Sequence, residues 1–510
     1  MTAVSTIDII RVLPEAVLSA FAVLVMVLDP FIPPRRKGLL AWLSLAGVIA
    51  AEAALFESSL SPGLAFNGTV SADPFSFYFI FLFLLVAALT VLGSMDYLER
   101  DKINRGEFYA LVLMATVGAC FMAASTELIM VFIGLEISSI STYILAGFRR
   151  NDAKSNEASL KYFLLGSFAT AFFLYGIAFV YGLTGTTKLV ALSEQGVQTT
   201  VGAQSSSGYQ QVLSQYHPFG NARLLWLAMI LLFVGLAFKV STVPFQVWTP
   251  DVYQGAPAPV TAFLSVGPKA AAFAVVLRVF LGGLVHERLG FSVVWITSAI
   301  LTMSLGNLAA LWQSNVKRLL AYSAIAHAGY VLVGISAAAV GGVAEGTSAV
   351  LFYLLAYSLM NLGAFVLIAH LAGAGERRSD VEDYVGLAYK KPGVAACLTV
   401  LLLSLGGLPT TAGFLAKFYV FRAAVHSHLI LLTVVAVLNS VVSVYYYLRL
   451  VVVMYMREGE TTVSTDAVPW PLRVALAVSM VGIFYLGLFP NAFLSLASLA
   501  ASPLPYLNRP

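Results

Sequence analysis

The sequence predicts an all-α polytopic membrane protein of about fourteen transmembrane helices, and three observations carry that reading. Of 510 residues, 59% are hydrophobic and only 11% charged, whereas a soluble domain carries about 25% charged residues. Mean hydropathy is +0.88, so most side chains must face lipid or another helix rather than water. Fourteen apolar runs, each near the roughly 20 residues that span a bilayer, are separated by Pro, Gly, Asn, Asp or charge clusters.

The runs fall at 8–28, 38–57, 75–97, 108–125, 127–148, 159–183, 224–247, 257–284, 290–312, 319–340, 346–373, 393–422, 430–456 and 469–490. The first places Asp8 and Glu15 around Arg11 instead of a basic leader, and no small-residue cleavage site follows Asp29-Pro30, so it is expected to be a retained helix. The rest are tested in order by their loops, because basic residues should gather in alternate connections if the crossings are counted correctly. Every second loop from the first holds Arg35, Arg36 and Lys37; Arg100, Lys102 and Arg105; Arg149, Arg150 and Lys154; none at 248–256; Lys317 and Arg318; Arg377, Arg378, Lys390 and Lys391; Arg457 and Arg473. These seventeen face five on the other side: Lys188, Arg223, Arg288, Arg422 and Arg509. Both termini are therefore expected away from the cytoplasm. The stretch 186–223, with Ser205-Ser206-Ser207-Gly208, reads as a surface loop too short for a domain.

Composition also narrows the chemistry. Cys120 and Cys397 lie in apolar runs, far from His or a second Cys at ligand spacing, which argues against disulfide frameworks, zinc sites and iron–sulfur clusters. Glycine-rich phosphate loops are absent, and a net charge of +4 gives no reason to expect nucleic acid. No cofactor and no metal are expected on this chain. A channel, a transporter or a membrane subunit of a larger machine remains.

Charges inside the runs are the candidate site, since each costs about 2.5–3.5 kcal/mol at a helix centre on insertion scales. They are Glu136 in the fifth run, Lys161 in the sixth, Lys239 in the seventh, Lys269 in the eighth, His327 in the tenth and Lys417 in the twelfth. Lys161, two residues into its run, can equally snorkel to the interface, and His327 can equally be a satisfied core histidine. Arg11, Arg278 and Arg449 near run ends read as interfacial or structural, as do Glu15 and Glu52. Burial and a movable carboxylate partner would let a lysine take up and release a proton.

Two runs carry backbone breaks, the places where transporters build ion sites. Pro244 follows Lys239 by five residues, and Pro409 lies in Gly406-Gly407-Leu408-Pro409 ahead of Lys417. Helices 7 and 12 are thus expected to be discontinuous. Their separation of five runs suggests two inverted five-helix repeats, helices 4–8 and 9–13. The corresponding divisions are 1–107, 108–284, 285–456 and 457–510, although the order of lysine and proline differs between the two breaks.

The segment Pro244-Phe245-Gln246-Val247-Trp248-Thr249-Pro250-Asp251-Val252-Tyr253-Gln254-Gly255-Ala256-Pro257-Ala258-Pro259-Val260-Thr261 closely resembles the signature of the antiporter-like membrane subunits of respiratory complex I. Asn315-Val316-Lys317-Arg318-Leu319-Leu320-Ala321-Tyr322-Ser323 and Leu405-Gly406-Gly407-Leu408-Pro409-Thr410-Thr411-Ala412-Gly413-Phe414-Leu415-Ala416-Lys417-Phe418 match as well, and the similarity runs from about residue 70 to 455. A Lys on helix 12 and a chain ending soon after helix 14 resemble the subunit N (subunit 2) branch rather than subunits M or L. The resemblance implies a Glu136–Lys239 pair, a central Lys269 and an exit Lys417, with Lys161 and His327 at motif positions. Gln246 stands where relatives often carry His, so no histidine role is carried over there.

What the resemblance implies is a proton-translocating subunit of a proton-pumping NADH-quinone oxidoreductase in the bacterial inner membrane, with redox chemistry, NADH and clusters confined to other subunits. Its implied partners are the neighbouring antiporter-like subunit, small membrane subunits and the lipid bilayer. A subunit of a multi-subunit cation/proton antiporter is the alternative.

Overall fold

The computed structural model describes residues 5–193 and 218–502. Among these, thirteen helices are long and apolar enough to cross a membrane. In chain order the helices are α1 (Thr6–Arg11), α2 (Leu13–Leu28), α3 (Gly38–Ser59), α4 (Pro74–Arg100), α5 (Gly106–Ala124), α6 (Leu128–Ala146), α7 (Ala153–Thr184), α8 (Pro218–Val240), α9 (Trp248–Gly255), α10 (Ala258–Val276), α11 (Arg288–Leu311) and α12 (Val316–Val340). They continue with α13 (Val343–Leu371), α14 (Pro392–Gly406), α15 (Ala412–His426), α16 (Ile430–Met456), α17 (Trp470–Leu488) and α18 (Asn491–Ala501), with a single unnumbered turn at Leu387–Lys390 before α14. An antiparallel hairpin, β1 (Gly63–Ala65) with β2 (Val70–Ala72), joins α3 to α4; its strands are too short to show an alternating pattern.

Thirteen long helices and fourteen apolar runs differ for one reason: the twelfth run is folded as two halves. Gly407 at φ 94° and Thr410 at φ 74° turn the backbone left-handed on either side of Pro409, and proline cannot continue a helix. The halves, α14 and α15, have 15 residues each, short of a full crossing. In the seventh run the helix stops at Val240, Ser241 takes φ 66°, and α9 resumes beyond Pro244. Both expected discontinuities are present.

Other boundaries shift. The first run splits at Val12, so its span begins at Leu13. Helix α7 starts six residues before the expected 159, and α18 follows the last span unanticipated. Within the expected loop 186–223, Ser205-Ser206-Ser207-Gly208 lies outside the described residues, as does Arg509.

The loops expected to be basic meet at one end of the bundle. Asp29 accepts from Lys37 Nζ and from the Gly106 amide, each at 2.8 Å. Arg149 meets Asp101 at 2.5 Å and Glu376 at 3.4 Å, and Arg457 meets Glu382 at 2.6 Å. These contacts tie the first, second, third and sixth of those loops to one another and the sixth to the seventh.

Helix packing explains why polar groups can sit deep. The best spanning windows of α10 and α13 are wholly buried and that of α12 is 94% buried, against 28% for α17. Side chains along the middle of these first three helices are almost all enclosed by protein, so any charge there must be accommodated by protein or water. Close approach depends on glycine, because lipid supplies no hydrophobic drive between helices and small residues let backbones touch. A Cβ on Gly118 would lie 2.6 Å from the Gly134 carbonyl across α5 and α6, and one on Gly329 would lie 2.5 Å from the Met303 amide across α11 and α12.

Candidate functional site

Three buried lysines and one histidine run through the core of the bundle, each held by aromatic rings or hydroxyls rather than by an acid. Lys239, two residues before the break after α8, is 4% exposed. Its Nζ donates to the Tyr143 hydroxyl at 3.4 Å and lies 4.9 and 5.3 Å from the ring centroids of Tyr143 and Tyr162. Tyr162 stacks on Trp248 at 4.5 Å, and Trp248 meets Tyr253 edge-on at 6.0 Å. Trp248 also donates to the Phe238 carbonyl at 2.9 Å, which accepts from the Ser241 amide at 3.1 Å as well, so the indole pins the helix end.

Lys269, on α10, lies 5.4 Å from the Tyr253 ring and donates to the Ala324 carbonyl at 3.4 Å. A small cavity of about 10 Å³, at the lower limit of what holds one water, separates it from His327 and is also lined by Ala324, Tyr357 and Ser358. His327, on α12, hydrogen-bonds the Tyr353 hydroxyl at 2.6 Å through Nδ1 and the Tyr447 hydroxyl at 3.3 Å through Nε2. Tyr447 in turn meets the Ser323 hydroxyl. Tyr330, one turn beyond His327, lies edge-on to its ring at 5.8 Å.

Lys417 completes the line. Its Nζ is 5.0 Å from the Tyr330 ring and donates to Gly406 O at 2.9 Å and Ser440 Oγ at 3.0 Å. Gly406 ends α14, so the ammonium caps a carbonyl at the negative end of a half-helix. Gly407 is favoured by its left-handed φ of 94°, and a Cβ there would lie a tight 3.2 Å from Lys417 Cδ. Asn307 anchors this end by donating to Tyr330 at 3.0 Å and accepting from Tyr446 at 3.0 Å.

The expected Glu136–Lys239 pair is not a contact pair. Among the described residues no ion pair joins them, although their charges are close enough to interact through space, and Glu136 is half-buried with its Oε1 unpartnered. The separation leaves Lys239 to the tyrosine rings, where cation–π attraction offsets part of the desolvation.

Lys161 stands apart from the line. The earlier start of α7 places it deeper in its helix than the sequence implied, yet it is 41% exposed and pairs with Glu157 at 2.7 Å and Asp251 at 2.8 Å. Asp251 also takes Arg318 at 2.8 Å. Burial would raise the Asp251 pKa, but hydrogen bonds from Lys161 and Arg318 hold it below the usual carboxylate value.

The three peripheral arginines are structural. Arg278 is not interfacial: 1% exposed, it donates twice to Asp73, the N-cap of α4, at 2.8 and 2.9 Å. Arg11 and Arg449 satisfy backbone carbonyls. Glu15 is fully buried and Glu52 half-buried.

Sequence reasoning missed the tyrosines and Glu376. Spacing held a signal for some of them: Tyr330 is three residues after His327, and Tyr353 and Tyr357 are four apart, distances that share a helix face. Glu376, in a glycine-rich turn, accepts from Tyr97 at 2.5 Å, Lys317 at 2.6 Å and the Ala258 amide at 2.7 Å. Burial would raise its pKa, but Lys317 and Arg149 hold the carboxyl below the usual glutamate value. Lys317, counted as a loop cation, is thus buried and neutralised.

Comparison with known proteins adds to this geometry. Residues 125–443 match the family model described as NADH:quinone oxidoreductase/Mrp antiporter, transmembrane. NADH-quinone oxidoreductase subunit N 1 of Solibacter usitatus is 47% identical over 98% of each chain. NADH-quinone oxidoreductase subunit N of Trichlorobacter lovleyi is 44% identical over 97% of each. A chain of respiratory complex I from Thermus thermophilus with bound aureothin superposes with a TM-score of 0.77 at 36% identity, covering 95% of this chain and 99% of that one.

Proposed function

This chain belongs to the NADH:quinone oxidoreductase/Mrp antiporter transmembrane family, and from that premise we propose that it is a proton-translocating membrane-arm subunit of an NADH-quinone oxidoreductase whose protons pass along Lys239, Lys269, His327 and Lys417. The observation that carries this reading is the line itself: four buried titratable groups, spaced by hydroxyls and a water-sized cavity, between two broken helices. Tyr253 and Tyr357 each bury a hydroxyl with no partner among the described residues, and such groups need one; waters of the relay would supply it. Glu136 biases Lys239 through space, and Lys161 with Asp251 and Arg318 tethers α7, α9 and α12.

Helices α5 to α10 and α11 to α16 are read as two inverted units, each with a glycine-packed first pair and a broken fourth member. Redox chemistry would lie in partner subunits of the membrane arm and beyond, with no cofactor on this chain. An antiporter subunit shares the fold, but relatives at 44–47% identity over almost the whole chain carry the subunit N name, which favours the redox-linked machine.

Glu136→Gln tests the bias. No contact pair is broken, so the complex should assemble normally while the proton-to-electron ratio falls in reconstituted vesicles. Normal pumping at full assembly would take Glu136 out of the mechanism.

The proposed site is the bacterial inner membrane, with the basic end of the bundle cytoplasmic. In a variant lacking Cys120 and Cys397, Ser5→Cys should react with an impermeant maleimide from outside and Arg35→Cys only from the cytoplasm. The reverse pattern would invert the topology.

A further inference from the structure

At the end of the bundle that carries the basic loops, a polar cavity of about 660 Å³ opens between the α4–α5 turn, the α6–α7 turn and the segment after α13. That volume is in the range of small-ligand pockets. Six cations line it and only two acids, Asp101 and Asp152. Three of the cations are already engaged: Arg100 and Arg149 with Asp101, and Arg150 with Glu107. The other three, Lys102, Arg105 and Arg377, make no ion pair among the described residues and are exposed.

The cavity also has a fixed frame. Arg100 donates to the carbonyls of Ala369 and His370 at 3.0 and 3.2 Å, and the Asp101 carboxylate receives Arg149 and the Gly375 amide, so the engaged arginines form a rigid wall behind the three free cations. Ile103 adds apolar surface at the same mouth, backed by Phe148, which is buried against Phe108. Because the lining comes from the ends of spanning helices, the opening lies at headgroup depth. Basic pockets between transmembrane helices at that depth suit anionic lipid headgroups.

We propose that this cavity binds a phosphate oxyanion, that of an anionic phospholipid headgroup, through Lys102, Arg105 and Arg377, with Ile103 against the glycerol carbons. The site plays no part in the proton line and would hold the α4–α5 and α6–α7 turns against the segment that carries Glu376.

The test uses the intact purified complex, delipidated in detergent and titrated with short-chain phosphatidylglycerol, short-chain phosphatidylcholine or inorganic phosphate, with binding read by native mass spectrometry. The parent should bind phosphatidylglycerol in preference to phosphatidylcholine. Removing three cations at a membrane surface, each contributing roughly fivefold, should weaken binding by the combined variant K102A/R105A/R377A on the order of a hundredfold. Lys102→Gln alone should give a partial loss in a complex that assembles normally. The variant R35A/R36A removes two exposed cations outside the cavity and should bind as the parent does. Unchanged binding by the triple variant, or equal loss in R35A/R36A, would overturn the site. Displacement of the lipid by inorganic phosphate at equal concentration would overturn the lipid as its source.

Discussion

Lys269→Met is expected to abolish the proton flux through this subunit while leaving the assembled complex at least as stable as its parent. Lys269 lies on a helix whose middle is wholly buried, with a carbonyl at 3.4 Å, a tyrosine ring at 5.4 Å and no carboxylate partner among the described residues. Holding an ammonium there costs about 2.5–3.5 kcal/mol on insertion scales. Methionine is unbranched, similar in length and apolar, and it fills irregular core space well. The substitution therefore removes a destabilising charge without leaving a hole. Function moves the opposite way, because Lys269 is the titratable group between Lys239 and the cavity before His327. A gap that raises the barrier by only about 1.4 kcal/mol slows transfer tenfold, and bypassing a whole station should raise it by more. The subunit's share of the proton-to-electron ratio should fall at least tenfold in reconstituted vesicles, with thermal stability of the complex unchanged or increased. An assembled Lys269→Met complex that pumps normally would remove Lys269 from the path. A fall in stability would show the ammonium to be a structural member of the core.

That opposition between stability and function is also why these lysines were legible in the sequence. A charge in an apolar run has no hydrophobic reason to be there, so Lys239, Lys269 and Lys417 stand out one by one. Tyrosine carries no such signal. The chain has 23 of them, and a tyrosine serves equally as core, as interfacial residue or as proton carrier. Only the packing shows that Tyr143, Tyr162, Tyr253 and Tyr330 hold ammonium groups. The helix breaks were visible because proline and paired glycines leave few other conformations, yet the sequence did not show that breaking the twelfth run leaves two halves of 15 residues. The Glu136–Lys239 pair came from the resemblance alone, and whether its members touch depends on how α6 and α8 pack, which one-dimensional spacing does not encode. Glu376 lay in a loop, where an acid needs no explanation, and its burial arises from four segments far apart in the chain.

Lys417→Arg separates a proton carrier from a fixed charge. Lys417 donates to the last carbonyl of α14 and to Ser440, and its ammonium faces the Tyr330 ring. An arginine offers more donors for the same carbonyl and hydroxyl and stacks well on an aromatic face, so it satisfies every structural demand of the half-helix end. It cannot release its proton inside a protein, whereas a desolvated ammonium can. If Lys417 only neutralises the open carbonyls of α14, the arginine variant should pump near the parental ratio and Lys417→Met should fail. If Lys417 hands protons on, both variants should lose translocation to a similar degree, at least tenfold, with the arginine complex the better assembled of the two. The second outcome is expected, because Tyr330 touches both His327 and Lys417 and joins the Asn307–Tyr446 network, while Ser440 supplies a further hydroxyl at 3.0 Å, a continuity of polar groups that a counter-charge does not need. Parental stoichiometry in Lys417→Arg would overturn the carrier role and leave an electrostatic lock on the broken helix.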